Sequence, residues 1–266
     1  RQMCIRDRCY GLKHLGAISP GFQADFVVLD NLQDLNVTDV FYKGKLVDRN
    51  APIRVKTCGR ALKHTVHLDK VKAEQFVLPI GKKKTHVIGI NPSQITTEDL
   101  AVSLQPAANY VPTDGYSKVA AVERHHNTGK IGVAVAKGYG IRNGAVASSV
   151  SHDSHNIIVI GDNDRDMALA VDEIIRTQGG YTVVENGEVF ETLPLPIMGL
   201  MSDAGFESVN ETLGRMIKKA HEMGVPADIE PFITLSFLAL PVIPALRITP
   251  RGLCLLTAKG PEILQE

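Results

Sequence analysis

The sequence has no excess of charge of either sign: 29 Lys and Arg residues balance 29 Asp and Glu residues. A protein whose main partner is a nucleic-acid backbone or an anionic membrane carries a basic surplus, so neither partner is expected. No apolar run reaches the length of a transmembrane helix, and the amino terminus lacks the pattern of a secretory signal. We therefore expect a cytoplasmic protein with no membrane partner.

Cysteine pairs and phosphate-loop motifs are also missing. The four cysteines, Cys4, Cys9, Cys58 and Cys254, show no Cys-x-x-Cys spacing, so we expect scattered free thiols in a non-secreted protein. The Gly-rich run from Gly138 to Gly144 lacks the spacing of a phosphate-binding loop. Hydrophobic content is 44%, which is enough for a sizeable globular core.

Histidine, by contrast, is concentrated in two clusters. Four of the nine histidines lie in the runs His125-His126-Asn127 and His152-Asp153-Ser154-His155-Asn156. Each cluster adjoins an apolar run that is typical of a buried strand, Lys118 to Val122 before the first and Ile157 to Ile160 after the second. Because unpaired polar groups are costly to bury, the clusters predict either a structural network or a functional site. Their spacing predicts no self-contained metal site.

Turn and cap signals predict the remaining elements. Asp162 or Asn163 caps a helix that Gly179 ends, and Asn186-Gly187 predicts a type I′ hairpin turn. Apolar residues at helical spacing predict a helix from Asn210 to Met223. Further strands are predicted at the positions that follow: Ala24–Leu29, Val37–Tyr42, Lys45–Val47, His86–Ile90 and Ile131–Val135.

Three segments give weaker signals. His64 and His67 alternate with Val66, which favours an edge strand. Residues 95–98 predict a polar connector. The motif ITPRG, which ends at Gly252, predicts a turn before one last strand.

Two long stretches of the sequence carry a family resemblance. The run RHHNTGKIGVAVAKGYGIRNGAVASSVSHDSHNIIVIGDNDRDMALAV is similar to the C-terminal region of the bacterial adenine deaminases, which belong to the amidohydrolase superfamily. The similarity continues through GGYTVVENGEVFETLPLPIMGLMSD and FLALPVIPALRITPRGL. It covers nearly the whole chain from Cys9 onward.

The resemblance implies a domain organisation. The pattern G-x-I-x-P-G-x-x-A-D-x-V-V-L, which begins at Gly16, resembles the point where amidohydrolases leave their barrel for a small β-sandwich. We therefore expect an α+β fold, with a β-sandwich remnant at residues 9–60 and an adenine deaminase C-terminal domain at residues 61–266. Residues 1–8 match nothing in the family and are predicted to be a non-native leader.

The resemblance also implies a metal that this chain does not hold. The family carries its metal ligands, including a His-x-His pair, on barrel strands, and this chain contains no His-x-His. A barrel needs about 250 residues. We expect Mn²⁺ or Fe²⁺ in a missing N-terminal barrel, and a chain that is inactive alone. The cytidine-deaminase signature, H-x-E with P-C-x-x-C, is absent as well.

The implied reaction is hydrolysis of adenine to hypoxanthine and ammonia, a step of purine salvage or catabolism. Catalytic candidates are His125, His126, Asp153 and His155, and substrate-binding candidates are Asn127, Ser154 and Asn156. Expected partners are adenine, the missing barrel and a second copy of the chain in a homo-oligomer. Two alternatives stay open: a non-catalytic packing or oligomerisation module, and part of another amidohydrolase that acts on cyclic amides.

Overall fold

The computed structural model of the chain describes residues 9–51, 59–81, 84–113 and 115–264. The chain divides into two compact units, residues 1–56 and 57–266. The predicted leader, residues 1–8, lies outside the described residues. The predicted domain division after residue 60 stays a prediction.

The first unit is a three-stranded antiparallel sheet. Its strands are β1 (Phe26–Leu29), β2 (Val37–Tyr42) and β3 (Lys45–Leu46), in that order across the sheet. The strands predicted in this unit are confirmed. Val27 and Val28 point to opposite faces, as successive strand residues do, yet they are 53% and 39% exposed. None of the described side chains of this unit is buried, so the sheet has no core of its own.

The second unit is built on an eight-stranded sheet. In sheet order the strands are β11, β10, β8, β9, β6, β7, β4 and β5, and every neighbouring pair is antiparallel except β4 and β7. Their bounds are β4 Thr85–Ile90, β5 Thr97–Val102, β6 Tyr116–Val122, β7 Ile131–Lys137, β8 Gly144–Ser148, β9 Ile157–Gly161, β10 Gly180–Glu185 and β11 Glu188–Pro194.

Helices cover both faces of this sheet. Helix α1 (Asp164–Thr177) packs on one face, and helices α2 (Phe206–Glu222) and α3 (Pro231–Leu238) pack on the other. The predicted cap is confirmed, since the Asn163 side chain accepts from the Asp166 N–H. Among the described residues, no helix has both the length and the apolar character needed to cross a membrane.

Strand β6 shows how the sequence builds two cores. Val119 and Ala121 point into the core that contains α2 and α3, whereas Ala120 and Val122 point into the core that contains α1. Side chains alternate between faces along a strand, so a strand buried on both faces reads as one continuous apolar run. The fold is mixed α+β, as predicted.

A second three-stranded antiparallel sheet packs beside α3. It consists of β12 (Leu246–Thr249), β13 (Gly252–Thr257) and β14 (Gly260–Ile263). A Cβ added at Gly132 of β7 would lie 2.0 Å from the Thr249 carbonyl oxygen, so a side chain there would push this sheet away.

A buried arginine holds the segment that leads into this sheet. The Arg247 guanidinium donates to the carbonyl oxygens of Ile243, Ile95 and Pro244 at 2.7–2.8 Å. Burial lowers the pKa of Arg247 to about 10. Backbone carbonyls rather than a carboxylate therefore solvate this cation.

Three local predictions are wrong. The predicted connector at residues 95–98 leads directly into β5, an edge strand. The predicted edge strand at His64 and His67 is an extended segment outside any sheet, where the His67 N–H donates to the Arg124 carbonyl oxygen at 2.7 Å. The end of the described chain holds three strands instead of one.

Candidate functional site

The two polar clusters meet at one edge of the large sheet. Strands β6 and β9 are antiparallel neighbours, and Val122 at the end of β6 pairs with Ile157 at the start of β9. The chain that leaves β6 therefore lies beside the chain that enters β9. The sheet therefore brings together residues 125–127 and 152–156.

Glu123 organises the first of the two loops. One carboxylate oxygen accepts from the backbone N–H groups of His125 (2.6 Å) and His126 (2.9 Å), and the other accepts from the Thr128 N–H and hydroxyl (3.1 and 3.0 Å). Burial raises the pKa of Glu123, but the hydrogen bonds from Thr128, His125 and His126 outweigh it and lower the pKa to about 2. Glu123 is thus held as a carboxylate that fixes the loop.

Arg124 ties the second loop to two other segments. Its side chain, 2% exposed, donates to the carbonyl oxygens of His155, Thr65 (3.2 Å) and Met198 (3.0 Å). Two of these carbonyls belong to residues in the left-handed region, His155 (φ 50°) and Met198 (φ 59°). Burial lowers the pKa of Arg124 to about 10. The guanidinium holds these strained turns in place.

His155 is half-buried and its neutral form is favoured. Its Nδ1 accepts from the Ser151 N–H at 3.2 Å. Burial lowers the pKa of His155, and the neighbouring His152 and Arg124 lower it further. A neutral ring with Nδ1 as acceptor suits a structural role in the turn.

Most of the other candidate groups already have partners. The Asn127 amide exchanges two hydrogen bonds with Asp69, at 3.0 and 3.3 Å. His125 Nε2 lies 2.7 Å from the Ser154 carbonyl oxygen. The Asn156 amide donates to the Ser154 hydroxyl at 2.9 Å. These three side chains stabilise the loops.

His126 and Asp153 differ from the rest. Neither the His126 ring nor the Asp153 carboxylate makes a hydrogen bond or ion pair with any described residue, and both residues are exposed. Both line a cavity of about 530 Å³ between the cluster edge and the small sheet. The other lining residues are Ala121, Glu123, Thr128, Lys130, Ser154, Asn156, Ala239, Pro241, Val242, Ile248, Thr249, Pro250, Arg251, Cys254, Pro261 and Ile263. We name this cavity the cluster groove.

The described part of the chain offers no metal centre. Nowhere within it do three His, Cys, Asp or Glu side chains come together in an arrangement that could hold a metal ion. The ring centroids of His152 and His155 are 5.7 Å apart, but His155 Nδ1 already accepts from a backbone N–H. The residues present therefore do not fit the divalent metal that the resemblance implies.

Sequence reasoning missed the two residues that build the site. Glu123 and Arg124 immediately precede the first cluster, and they read as an ordinary charged pair after a strand. The only signal was two charged residues directly after an apolar strand, which would need partners if they were buried. Those partners are mostly backbone groups, and the sequence does not indicate which ones they are.

Comparison with known proteins gives a consistent result. Residues 94–259 match the family described as adenine deaminase C-terminal domain. A protein named adenine deaminase from Desulfitobacterium hafniense (strain Y51) is 51% identical over 248 residues, which is 92% of this chain and 43% of the relative. An adenine deaminase from Nitratidesulfovibrio vulgaris (strain DP4) is 46% identical over 251 residues, 92% of this chain and 44% of the relative.

A third relative extends the range of similarity. The protein named adenine deaminase 2 from Carboxydothermus hydrogenoformans is 41% identical over 250 residues, again 92% of this chain and 44% of the relative. The chain thus spans less than half the length of these curated relatives.

Proposed function

The chain belongs to the adenine deaminase C-terminal domain family, and from this we propose that it is part of an enzyme that hydrolyses adenine to hypoxanthine and ammonia. The observation that carries the proposal is the match of residues 94–259 to the family, together with relatives named adenine deaminase that are 41–51% identical. The enzyme acts in the cytoplasm, on a free purine base, in purine salvage or catabolism.

The chemistry requires more than this chain supplies. Water adds to the purine carbon that bears the amino group, and ammonia leaves from the same carbon. We assign the divalent metal, Mn²⁺ or Fe²⁺, to a barrel elsewhere in the complete enzyme, because the described residues do not fit one. The proposed contribution of this chain is to bind and orient groups near the reacting base.

The seven candidate residues form two groups, according to whether their side chains already have hydrogen-bond partners among the described residues. His126 and Asp153 keep functional atoms that no described residue occupies, so they are the stronger candidates to contact a base or move a proton. His125, Asn127, Ser154, His155 and Asn156 are proposed to hold the two loops in position.

The test uses the complete enzyme that contains this chain, with adenine as substrate and ammonia release as the readout. Asp153→Asn removes the charge of a carboxylate that has no partner among the described residues. We expect kcat/KM to fall at least about tenfold, which corresponds to the loss of one hydrogen bond to a charged group. His155→Asn tests a loop residue and should cost less. His67→Asn, an exposed histidine outside the clusters, is the matched control.

Absence of ammonia release by the folded, metal-loaded complete enzyme would overturn the proposed activity. Turnover by the 266-residue chain alone would overturn the assignment of the metal to a barrel. Unchanged kcat and KM in both cluster variants would support the proposed activity and show that the clusters do not take part in it.

A second candidate function is a non-catalytic packing or oligomerisation module. It is favoured by one observation: most polar atoms of the two clusters are already used in hydrogen bonds within the loops. In that case the cluster variants lower the stability or the oligomeric state of the complete enzyme and leave KM for adenine unchanged. Denaturation and sedimentation measurements on the same variants separate the two functions.

A further inference from the structure

The cluster groove has two kinds of wall. One wall carries the polar groups of the β6 and β9 loops, including His126 and Asp153. The opposite wall is mostly apolar and comes from the segment after α3 and from the small sheet, through residues such as Pro241, Val242 and Ile263. A concave site with a mostly apolar surface and a few convergent polar groups is what small-molecule ligands bind.

The polar groups of the groove are unequal in their availability. The Glu123 carboxylate is saturated by four donors. The side chains of His126, Lys130, Asp153 and Arg251 make no hydrogen bond or ion pair with any described residue. Within the described part of the chain, the groove therefore has one carboxylate, one imidazole and two cations without a hydrogen-bond or ion-pair partner, beside its apolar surface.

The charge balance of the groove restricts the ligand. Two carboxylates, Glu123 and Asp153, face two cations, Lys130 and Arg251, so the groove carries no net charge. A phosphate-bearing ligand would meet two carboxylates with no surplus of positive charge to offset them. A neutral ligand that has both hydrogen-bond donors and acceptors fits better.

We infer that the cluster groove binds a neutral purine base, with Asp153 and His126 recognising its polar edge and the apolar wall covering its ring. The inference rests on the proposed function for the choice of a purine. Adenine has an amino donor and ring-nitrogen acceptors on one flat ring, and proteins recognise such bases by edge hydrogen bonds and apolar contact with the face. The Asp153 carboxylate accepts from the amino group or a ring N–H, while Lys130 and Arg251 donate to ring nitrogens.

The experiment is a titration of the 266-residue chain, without metal, with adenine, hypoxanthine and adenosine monophosphate, followed by calorimetry and amide chemical shifts. We expect saturable binding of the bases, shifts that centre on Ala121, Val242 and Ile263, and weaker binding of the nucleotide.

Asp153→Asn should weaken the binding of adenine at least about tenfold. Val242→Arg, at a 62% exposed wall position, should block the groove while the fold persists. Glu188→Gln, an exposed carboxylate at the start of β11, is the matched control.

Several outcomes would overturn the inference: no saturable binding of either base, binding that survives both groove variants, or equal binding of the nucleotide. The complete enzyme separates this failure from failure of the proposed function. If it deaminates adenine with an unchanged KM in Asp153→Asn and Val242→Arg, the activity stands and the groove assignment falls. If the chain binds bases in the groove but the metal-loaded complete enzyme releases no ammonia, the groove assignment stands and the activity falls.

Discussion

At the scale of single residues, Arg124 has the largest structural role in the cluster region. Its guanidinium is buried and connects three chain segments through their carbonyl oxygens. A buried carbonyl left without a donor costs about 1–3 kcal/mol. Arg124 therefore stabilises the site although it contributes no group to the groove.

Replacing Arg124 by Lys should be strongly destabilising. Lys keeps the charge, but an ammonium group cannot reach the carbonyls of His155, Thr65 and Met198 together. We expect a loss of about 3 kcal/mol in the free energy of unfolding, measured by urea denaturation. Arg60→Lys, at an exposed arginine, is the control and should change little. Equal stability of the two variants would show that the carbonyls find other donors.

Glu123 should make stability depend on acidic pH. Its pKa is about 2 in the folded protein, below the ordinary value near 4.3 for an unfolded chain. The folded state therefore binds the proton less readily, and the stability that Glu123 provides is present above about pH 4.3 and is lost as the pH falls towards 2. In Glu123→Gln, urea midpoints measured from pH 5 to pH 2 should fall less than in the wild type. An equal fall of the urea midpoint in the variant and in the wild type would contradict the prediction.

His155 should make stability depend on pH in the same direction as Glu123, but nearer neutral pH. Burial, His152 and Arg124 lower the pKa of His155 in the folded protein, and Asp153 opposes them only in part. The unfolded chain binds the proton more readily, so this stability is present above about pH 6.5 and is lost as the pH falls. Nuclear magnetic resonance titration should give a midpoint below 6.5 for His155. A midpoint above 6.5 would show that the ring is not held as the Ser151 acceptor.

At the scale of elements, two glycines should respond to the same substitution with opposite signs. Gly132→Ala places a Cβ 2.0 Å from the Thr249 carbonyl oxygen and should destabilise the protein by about 2 kcal/mol or more, because the small sheet must move. Gly214 lies within α2 with nothing within 4 Å of an added Cβ. Gly214→Ala should stabilise by up to about 1 kcal/mol. Thermal unfolding of both variants checks the pair, and two changes of the same sign would contradict it.

The sequence predicted elements wherever local signals were strong. The capped helix α1, the hairpin turn at Asn186-Gly187 and the buried strands β6 and β9 all follow from residues within a few positions of one another. Strand β5 was missed because its pattern, TEDLAV, is that of an exposed edge strand with few apolar residues. The segment at His67 alternates as a strand does, but among the described residues it forms only one backbone hydrogen bond with the chain beyond β6, from the His67 N–H to the Arg124 carbonyl oxygen, and lies in no strand.

Much of the candidate site could not be predicted for a related reason. The meeting of the two clusters follows from the antiparallel pairing of β6 and β9, which the sequence could suggest but not establish. Which of the seven candidate side chains are already occupied depends on distant partners, such as Asp69 for Asn127. The groove also needs the small sheet as part of its second wall, and that sheet lies far along the chain from both clusters, at residues 246–263.

At the scale of the whole molecule, the first unit should be poorly protected in the 266-residue chain by itself. None of its described side chains is buried, and a small sheet without a covered apolar face is marginally stable. In hydrogen exchange, we expect amides of residues 26–46 to exchange rapidly in the 266-residue chain and slowly in the complete enzyme. Amides of β9 serve as the control and should be protected in both. Strong protection of residues 26–46 in the chain alone would contradict the prediction.

The two buried arginines have a consequence for how the sequence can vary. Arg124 and Arg247 are bonded almost entirely to backbone carbonyls, which every amino acid supplies. A carboxylate partner can be deleted by one substitution, whereas a carbonyl partner cannot. Substitution should therefore be tolerated unequally. Met198, which supplies a carbonyl from the left-handed region, should accept other residue types, with Gly and Asn favoured, whereas the two arginines should accept almost none.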